Sequence, residues 1–305
     1  MTPKEMIADV RAECNTPSTQ GRVTDTEIML YLNRAKDLIC TKIIEADVKH
    51  FESNANISFV ADQEEYDIPR IFWQGKVSLV ERYDSAGTFV KTVEPMARFQ
   101  DKEHYSAVAN SVSSEQAGDS YYIRGRKIGF KPKPASALTN AVKVYGIQLP
   151  HDMFWGTLGT GVADPTVSTF ILDGGAVLAG RVSDETGYYT NAVVRVLSGT
   201  SGRGLERTIT AYNAFTKTAT IDTNWTIDDV KTQTYCIMGA WPEPYHHLAV
   251  SYAVYKVSAK PPSDEKLARL KRQEWMEGWK QLEDTISPRQ VQENEHVHVP
   301  WDDDF

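Results

Sequence analysis

Helical periodicity is confined to the two ends of this 305-residue sequence, and the long middle alternates with a period of two. Such a chain is neither a helical bundle nor a doubly wound sheet. Its first and last segments must pack together around β-structure. At the start, Thr2-Pro3-Lys4-Glu5 supplies an N-cap, a first-turn proline and the glutamate of a capping box, and Ile7, Val10 and Cys14 follow on one face. The turn-rich stretch 15–21 closes that helix. A second capping box, Thr24 to Glu27, opens the longest helix. Ile28, Leu32, Ala35, Ile39, Ile43 and Ala46 line one of its faces, and its end is expected near Phe51. Asn33, Arg34, Lys36, Asp37 and Glu45 lie opposite, on a face expected to meet solvent or another subunit.

Alternation sets in near Asn56. Strands are expected over Val77–Tyr83 and Thr88–Val93 around an Asp84–Gly87 turn, in a hairpin from Ser120 to Pro132 about Gly125, and over Ala141–Leu149 with a bulge at Gly146. Together they make a small antiparallel sheet. Residues 156–240 are rich in Thr, Gly and Val, with strands expected at 169–172, 192–197, 206–211, 218–222 and 234–238. That spacing fits a small sandwich or barrel, and because helix returns afterwards it reads as an insertion. Trp241-Pro242-Glu243-Pro244 opens a third helix reaching Lys260, in which Ala249, Ala253 and Ala259 permit close packing. Ser263 is expected to cap a fourth, with Leu267, Leu270, Trp275, Trp279 and Leu282 on one broad face. The last residues, 286–305, have no helical period and are acidic. The expected fold is α+β: a four-helix unit with a small antiparallel sheet, built from 1–155 plus 241–285, an all-β sandwich or barrel inserted at 156–240, and an extended arm at 286–305.

A net charge of −8 makes a general DNA binder a poor reading, because affinity for phosphate comes from Lys and Arg; a conduit that lets DNA pass is not excluded. No apolar run approaches the ~20 residues of a bilayer span. Met1-Thr2-Pro3-Lys4-Glu5 lacks the basic start and apolar core of a signal peptide, so a soluble protein that stays where it is made is expected. Cys14, Cys40 and Cys236 show no C-x-x-C spacing and read as small buried hydrophobes. Arg124, Arg126, Lys127, Lys131 and Lys133 form a local basic cluster. They read as a charged hairpin surface, or as a contact to DNA phosphate or to an acidic neighbour such as the C-terminal tail. Gly199 to Gly204 lacks the Gly-Lys-Ser/Thr of a phosphate cradle and reads as a hairpin turn.

His246-His247 and His296-x-His298 have no Cys or acidic partner at metal-ligand spacing, so no metal and no cofactor is expected. Glu64-Glu65 and Asp228-Asp229 read as solvated turns and not as catalytic dyads. No catalytic residue can be assigned, and the chain reads as no enzyme. The enzymatic alternative is a glycoside hydrolase with Trp73, Trp155 and Trp225 along a sugar cleft.

Several stretches, in order and spacing, resemble the phage head-to-tail adaptor (connector, neck) family. They are Met6-Ile7-Ala8-Asp9-Val10-Arg11 with Tyr31-Leu32-Asn33-Arg34-Ala35-Lys36, then Gln63-Glu64-Glu65-Tyr66-Asp67-Ile68-Pro69 with Trp73. Next come Tyr121-Tyr122-Ile123, Gly129-Phe130-Lys131-Pro132-Lys133-Pro134, Val142-Lys143-Val144-Tyr145 and Leu149-Pro150, and finally His247-Leu248-Ala249-Val250-Ser251-Tyr252-Ala253-Val254-Tyr255. The resemblance implies a structural virion protein made in the host bacterial cytoplasm and placed in the neck. It further implies a ring of copies of itself, a dodecamer by the family pattern, docked on the portal protein and receiving the tail or a second neck protein. Duplex DNA would meet it in passage only, and no membrane is involved. In such a ring the basic hairpin is expected to face a subunit or the portal, with the DNA channel as the alternative. Val291, Val297, Val299, Trp301 and Phe305 have no core of their own in the tail and are expected to form a portal-binding arm. The insertion would contact collar or fibre proteins, and a collar or tail-fibre anchoring neck protein is the alternative reading.

Overall fold

The computed structural model describes the chain except residues 17–22, 47–50, 70–71, 97–118, 158–167, 173–181, 184–185, 199–202, 225–233, 240, 262–263 and 287–305. The fold is mixed α and β, with four α-helices and several antiparallel sheets among the described residues. By contacts it divides into two compact units, one made of 1–47 and 150–305, the other of 48–149.

In the first unit, α1 (Pro3–Glu13) begins with the expected reciprocal cap: Thr2 Oγ1 accepts from Glu5 N at 3.3 Å, and Glu5 Oε2 accepts from Thr2 N at 2.7 Å. α2 (Asp25–Ala46) is capped by Thr24, but the Glu27 carboxylate takes the Lys260 ammonium instead of turning back on its own helix. Arg11 joins the two helices. Its guanidinium binds Asp25 and donates to the Thr16 and Val23 carbonyls, each at 3.1 Å. After a 3-10 turn at Glu243–Tyr245, α3 (His246–Ser258) packs against α1, α2 and α4 (Glu265–Ile286), with Ala249 and Ala253 fully buried. Ala259, expected in that contact, is the exposed C-cap. Asp264 caps α4 by accepting from Leu267 N at 3.0 Å, and Ser263 lies outside the described residues. The broad face expected on α4 is narrower than its pattern suggests: Ala268 and Leu282 are buried, Trp275 and Trp279 half-buried, and Leu270 exposed.

The same unit holds a six-stranded antiparallel sheet. Its strands are β9 (Phe154–Thr157), β10 (Thr169–Ile171), β11 (Val193–Val196), β12 (Glu206–Asn213), β13 (Thr218–Ile221) and β14 (Thr234–Met238), in the order β10-β13-β12-β11-β14-β9. β9 is a strand that the sequence pattern does not announce. Strands four places apart in a flat sheet lie about 19 Å from each other at ~4.8 Å spacing. Yet Phe170 on β10 meets Tyr235 on β14 with ring centroids 5.9 Å apart. The sheet therefore rolls over a core of aromatic rings that also includes Phe154, Tyr189 and Tyr212.

The second unit has two four-stranded sheets over one core. β1 (Glu52–Phe59), β8 (Leu138–Gln148), β3 (Phe72–Tyr83) and β4 (Phe89–Thr92) pair antiparallel in that order. In the other sheet β2 (Glu65–Asp67), β7 (Lys127–Lys131), β6 (Ser120–Arg124) and β5 (Glu94–Pro95) follow one another, with β5 parallel to β6. Phe59, Tyr66 and Phe130 meet in the shared core at centroid separations of 5.3 to 5.8 Å. The bulge expected at Gly146 sits instead in its partner strand. β8 pairs evenly with β1 through Ser53↔Gly146, whereas β3 slips between Phe72 and Val77. A Cβ on Gly146 would lie 2.6 Å from the Lys76 carbonyl oxygen and 2.8 Å from the Phe72 ring, so the glycine makes room for the slipped strand.

Candidate assembly surfaces

The basic hairpin does not present bare positive charge. β2 pairs with β7 so that Asp67 lies opposite Lys127 and Glu65 opposite Gly129, which sets an acidic strand beside the basic one. Arg124 donates to Glu65 at 2.7 Å, Lys131 lies 2.9 Å from Glu64, Lys133 3.0 Å from Asp62 and Lys127 4.0 Å from Asp67. Arg126, in the turn, is exposed and has no ion pair among the described residues. The Tyr122 ring lies across Gly129, and its hydroxyl donates to Glu64 and to Glu65, the latter at 3.0 Å. Burial and these two carboxylates push the phenol well above its ordinary range. Glu64 and Glu65 are thus half-buried partners of the hairpin and not the solvated turn expected from the sequence.

A buried polar joint lies where the chain re-enters the first unit. Lys36 is fully buried, and its Nζ donates to the carbonyls of Pro150 and His151, both at 2.8 Å, with Asp37 and Asp152 carboxylates at 3.2 Å. One helical turn earlier the Asn33 amide brackets Met153, donating to its carbonyl at 3.0 Å and accepting from its N–H at 2.8 Å. Trp241 Nε1 donates to the Met153 sulfur at 3.3 Å. A Cβ on Gly239 would meet the His151 carbonyl oxygen at 2.8 Å. His151 is buried between Lys36 and the Tyr188 backbone, and burial drives its ring pKa down to about 4. The face of α2 assigned from sequence to solvent or another subunit is therefore divided. Asn33 and Lys36 hold the returning chain, while Arg34 remains exposed. The sequence signal was the three-residue spacing of Asn33 and Lys36, which places both on one flank.

The remaining candidates are dispersed. His246 is buried, stacked on Trp241 and 3.2 Å from the N-terminal amine through Nδ1, while His247 is exposed. Among the described residues no group of His, Cys, Asp and Glu is arranged to hold a metal. Cys40 and Cys236 are buried, with thiols pushed up to about 12, as expected of packed hydrophobes. Trp155 lies in the first unit under the Lys4 ammonium, and Trp73 belongs to β3 of the second. Trp225, Asp228, Asp229, His296, His298 and Gly199–Gly202 lie outside the described residues, as do the arm residues Val291, Val297, Val299, Trp301 and Phe305. No described helix is long and apolar enough to cross a membrane.

A family model described as SU10 adaptor protein matches residues 1–297. The chain belongs to the SU10 adaptor protein family. It is a family of phage head-to-tail adaptors, structural and not enzymatic. Membership makes this adaptor a component of the virion neck and gives it portal and tail proteins as partners. No curated protein matches the chain.

Proposed function

We propose that the adaptor forms a ring beneath the portal, continues the DNA channel, and docks on the portal through the arm 286–305. The observation that carries this reading is the family match over 1–297, which takes in both compact units and part of the arm. The arm's apolar residues have no core of their own and gain burial only against another surface. Deleting everything after Thr285 is expected to leave a folded chain that no longer co-sediments with portal. Unchanged portal binding by the truncated chain would refute the arm.

The paired hairpin supports passage of DNA without retention. Four of its five cations already have carboxylate partners, so few phosphates can be neutralised without breaking a pair. Binding to random duplex at physiological salt is expected to be weak. Submicromolar, salt-sensitive binding, abolished by Arg124→Ala with Arg126→Ala, would place the hairpin in the channel as a gripping belt.

A second role, as anchor for collar or fibre proteins through 156–240, is favoured by the hairpin tip between β12 and β13. There Phe215 is 96% exposed, held by an Asn213 side chain that accepts from the N–H groups of Phe215 and Thr216. Thr157 pairs directly with Thr234, so the intervening segment leaves and re-enters at adjacent points, as an insertion requires.

A further inference from the structure

The helices of the first unit leave an open groove of about 500 Å³ between α2, α3 and α4, floored by Leu38, Thr41, Tyr252 and Trp279. Its aromatic floor is braced from behind, because Trp279 packs at a tilt against Trp275 with ring centroids 5.3 Å apart and Trp275 against Tyr252 at 4.9 Å. Leu38 is 45% exposed in it. Towards one end Lys42 lies 3.1 Å from Glu283, which itself accepts from Trp279 Nε1 at 3.2 Å, and Glu45 marks that end. At the other end Arg34 is exposed and has no ion pair among the described residues. α4 ends at Ile286, one turn past Glu283, so the chain beyond it starts beside the groove.

We propose that this groove holds the chain's own C-terminal arm before the portal is met, with Val297, Val299 and Trp301 on its floor. Three properties of the arm fit the site. Alternate residues of an extended segment face one side, so Val297, Val299 and Trp301 form one apolar edge while His298 and Pro300 face away. That edge spans about 13 Å at ~3.3 Å per residue, and the groove from Arg34 to Glu45 runs about 16 Å at ~1.5 Å per helical residue. The intervening residues 287–296 reach about 33 Å when extended, more than enough to turn back along the groove. Charge sets the direction. Lys42 is already paired with Glu45 and Glu283, and Asp37 with Lys36, which leaves Arg34 to attract the acidic end of the arm. With Val297 near Glu45, Val299 by Thr41 and Trp301 at Leu38, Asp302-Asp303-Asp304 falls at the exposed Arg34.

Only the release step rests on the portal-arm reading: docking on the portal would draw the arm out, and a free subunit would keep its apolar residues covered. Occupancy is tested without portal. Full-length protein carrying Thr41→Cys and Val299→Cys is oxidised mildly and analysed by non-reducing gel and peptide mass spectrometry. An intrachain disulfide joining the two introduced thiols, with a yield that does not change on dilution, is expected. Links that form only between chains, or no link at all, overturn the proposal. Independently, a peptide of residues 287–305 is titrated onto the chain ending at Ile286. Binding should weaken roughly tenfold or more with Leu38→Asp in the protein or Trp301→Ala in the peptide, as loss of an apolar anchor does. Equal binding by all variants, or none, overturns it. Leu38→Asp in the full chain should then bind portal at least as well as the unaltered chain. An intrachain link in a protein that never binds portal would remove the portal-arm reading and leave the groove assignment intact.

Discussion

Lys36→Met should lower the stability of the folded chain by about 3 kcal/mol, since each buried carbonyl left without a donor costs ~1–3 kcal/mol. Methionine keeps most of the volume of the lysine stem, so the loss isolates the ammonium. Lys36 serves the carbonyls of Pro150 and His151 from a fully buried position, and nothing else described in the joint is placed to replace it. Its two carboxylate neighbours are about half exposed and can be resolvated, so the cost falls mainly on the carbonyls. The urea midpoint should drop with little change in slope. Lys36→Arg should be nearly as harmful, because the planar guanidinium does not fit a site shaped for a compact ammonium. A midpoint unchanged within error in Lys36→Met would show that the joint holds without its charge.

Acidification should weaken the same joint through His151. Its ring is held near a pKa of about 4 in the folded chain against an ordinary 6.5, chiefly by burial and secondly by the Lys36 charge. Between those two values the unfolded chain binds a proton that the folded chain refuses, so stability rises with pH across that window and falls as pH is lowered. Above 6.5 the contribution is complete, and by about 4 it has gone. The full span corresponds to about 3 kcal/mol, at ~1.4 kcal/mol for each unit of pKa. Carboxylates elsewhere titrate in overlapping ranges, so the measurement is a difference. The stability of the unaltered chain minus that of His151→Gln should be constant above about pH 7 and fall by roughly 2–3 kcal/mol on reaching pH ~4. A difference that does not move with pH would mean that His151 takes up its proton in the folded state without cost.

Much of the helical part was legible because its signals are local. The Thr2–Glu5 cap, the apolar stripe of α2 from Ile28 to Ile43 and the buried Ala249 and Ala253 follow from spacing and side-chain chemistry within a few residues. The hairpin about Gly125, with its φ of +61°, was equally readable, as were five of the six strands of the rolled sheet. β9 escaped because Phe154-Trp155-Gly156-Thr157 is too short to show a period, and it is a strand by virtue of pairing with β14. The exposed Leu270 on α4 was misplaced because amphipathicity counts apolar residues and cannot count the neighbours available to cover them.

The placing of helices at the two ends around an alternating middle, and the family resemblance, were determined by the amino-acid sequence alone, since caps, periods and motif order are properties of nearby residues. Tertiary structure decided which charges matter. Arg124, Lys127, Lys131 and Lys133 look like a phosphate-binding cluster until the β2–β7 register sets Asp62, Glu64, Glu65 and Asp67 beside them. Asn33 and Lys36 look like surface residues until the chain returns, more than a hundred residues later, to place backbone carbonyls against them. In both cases the partner is remote in sequence, and a charge has no fixed meaning until its neighbours and its distance from water are known.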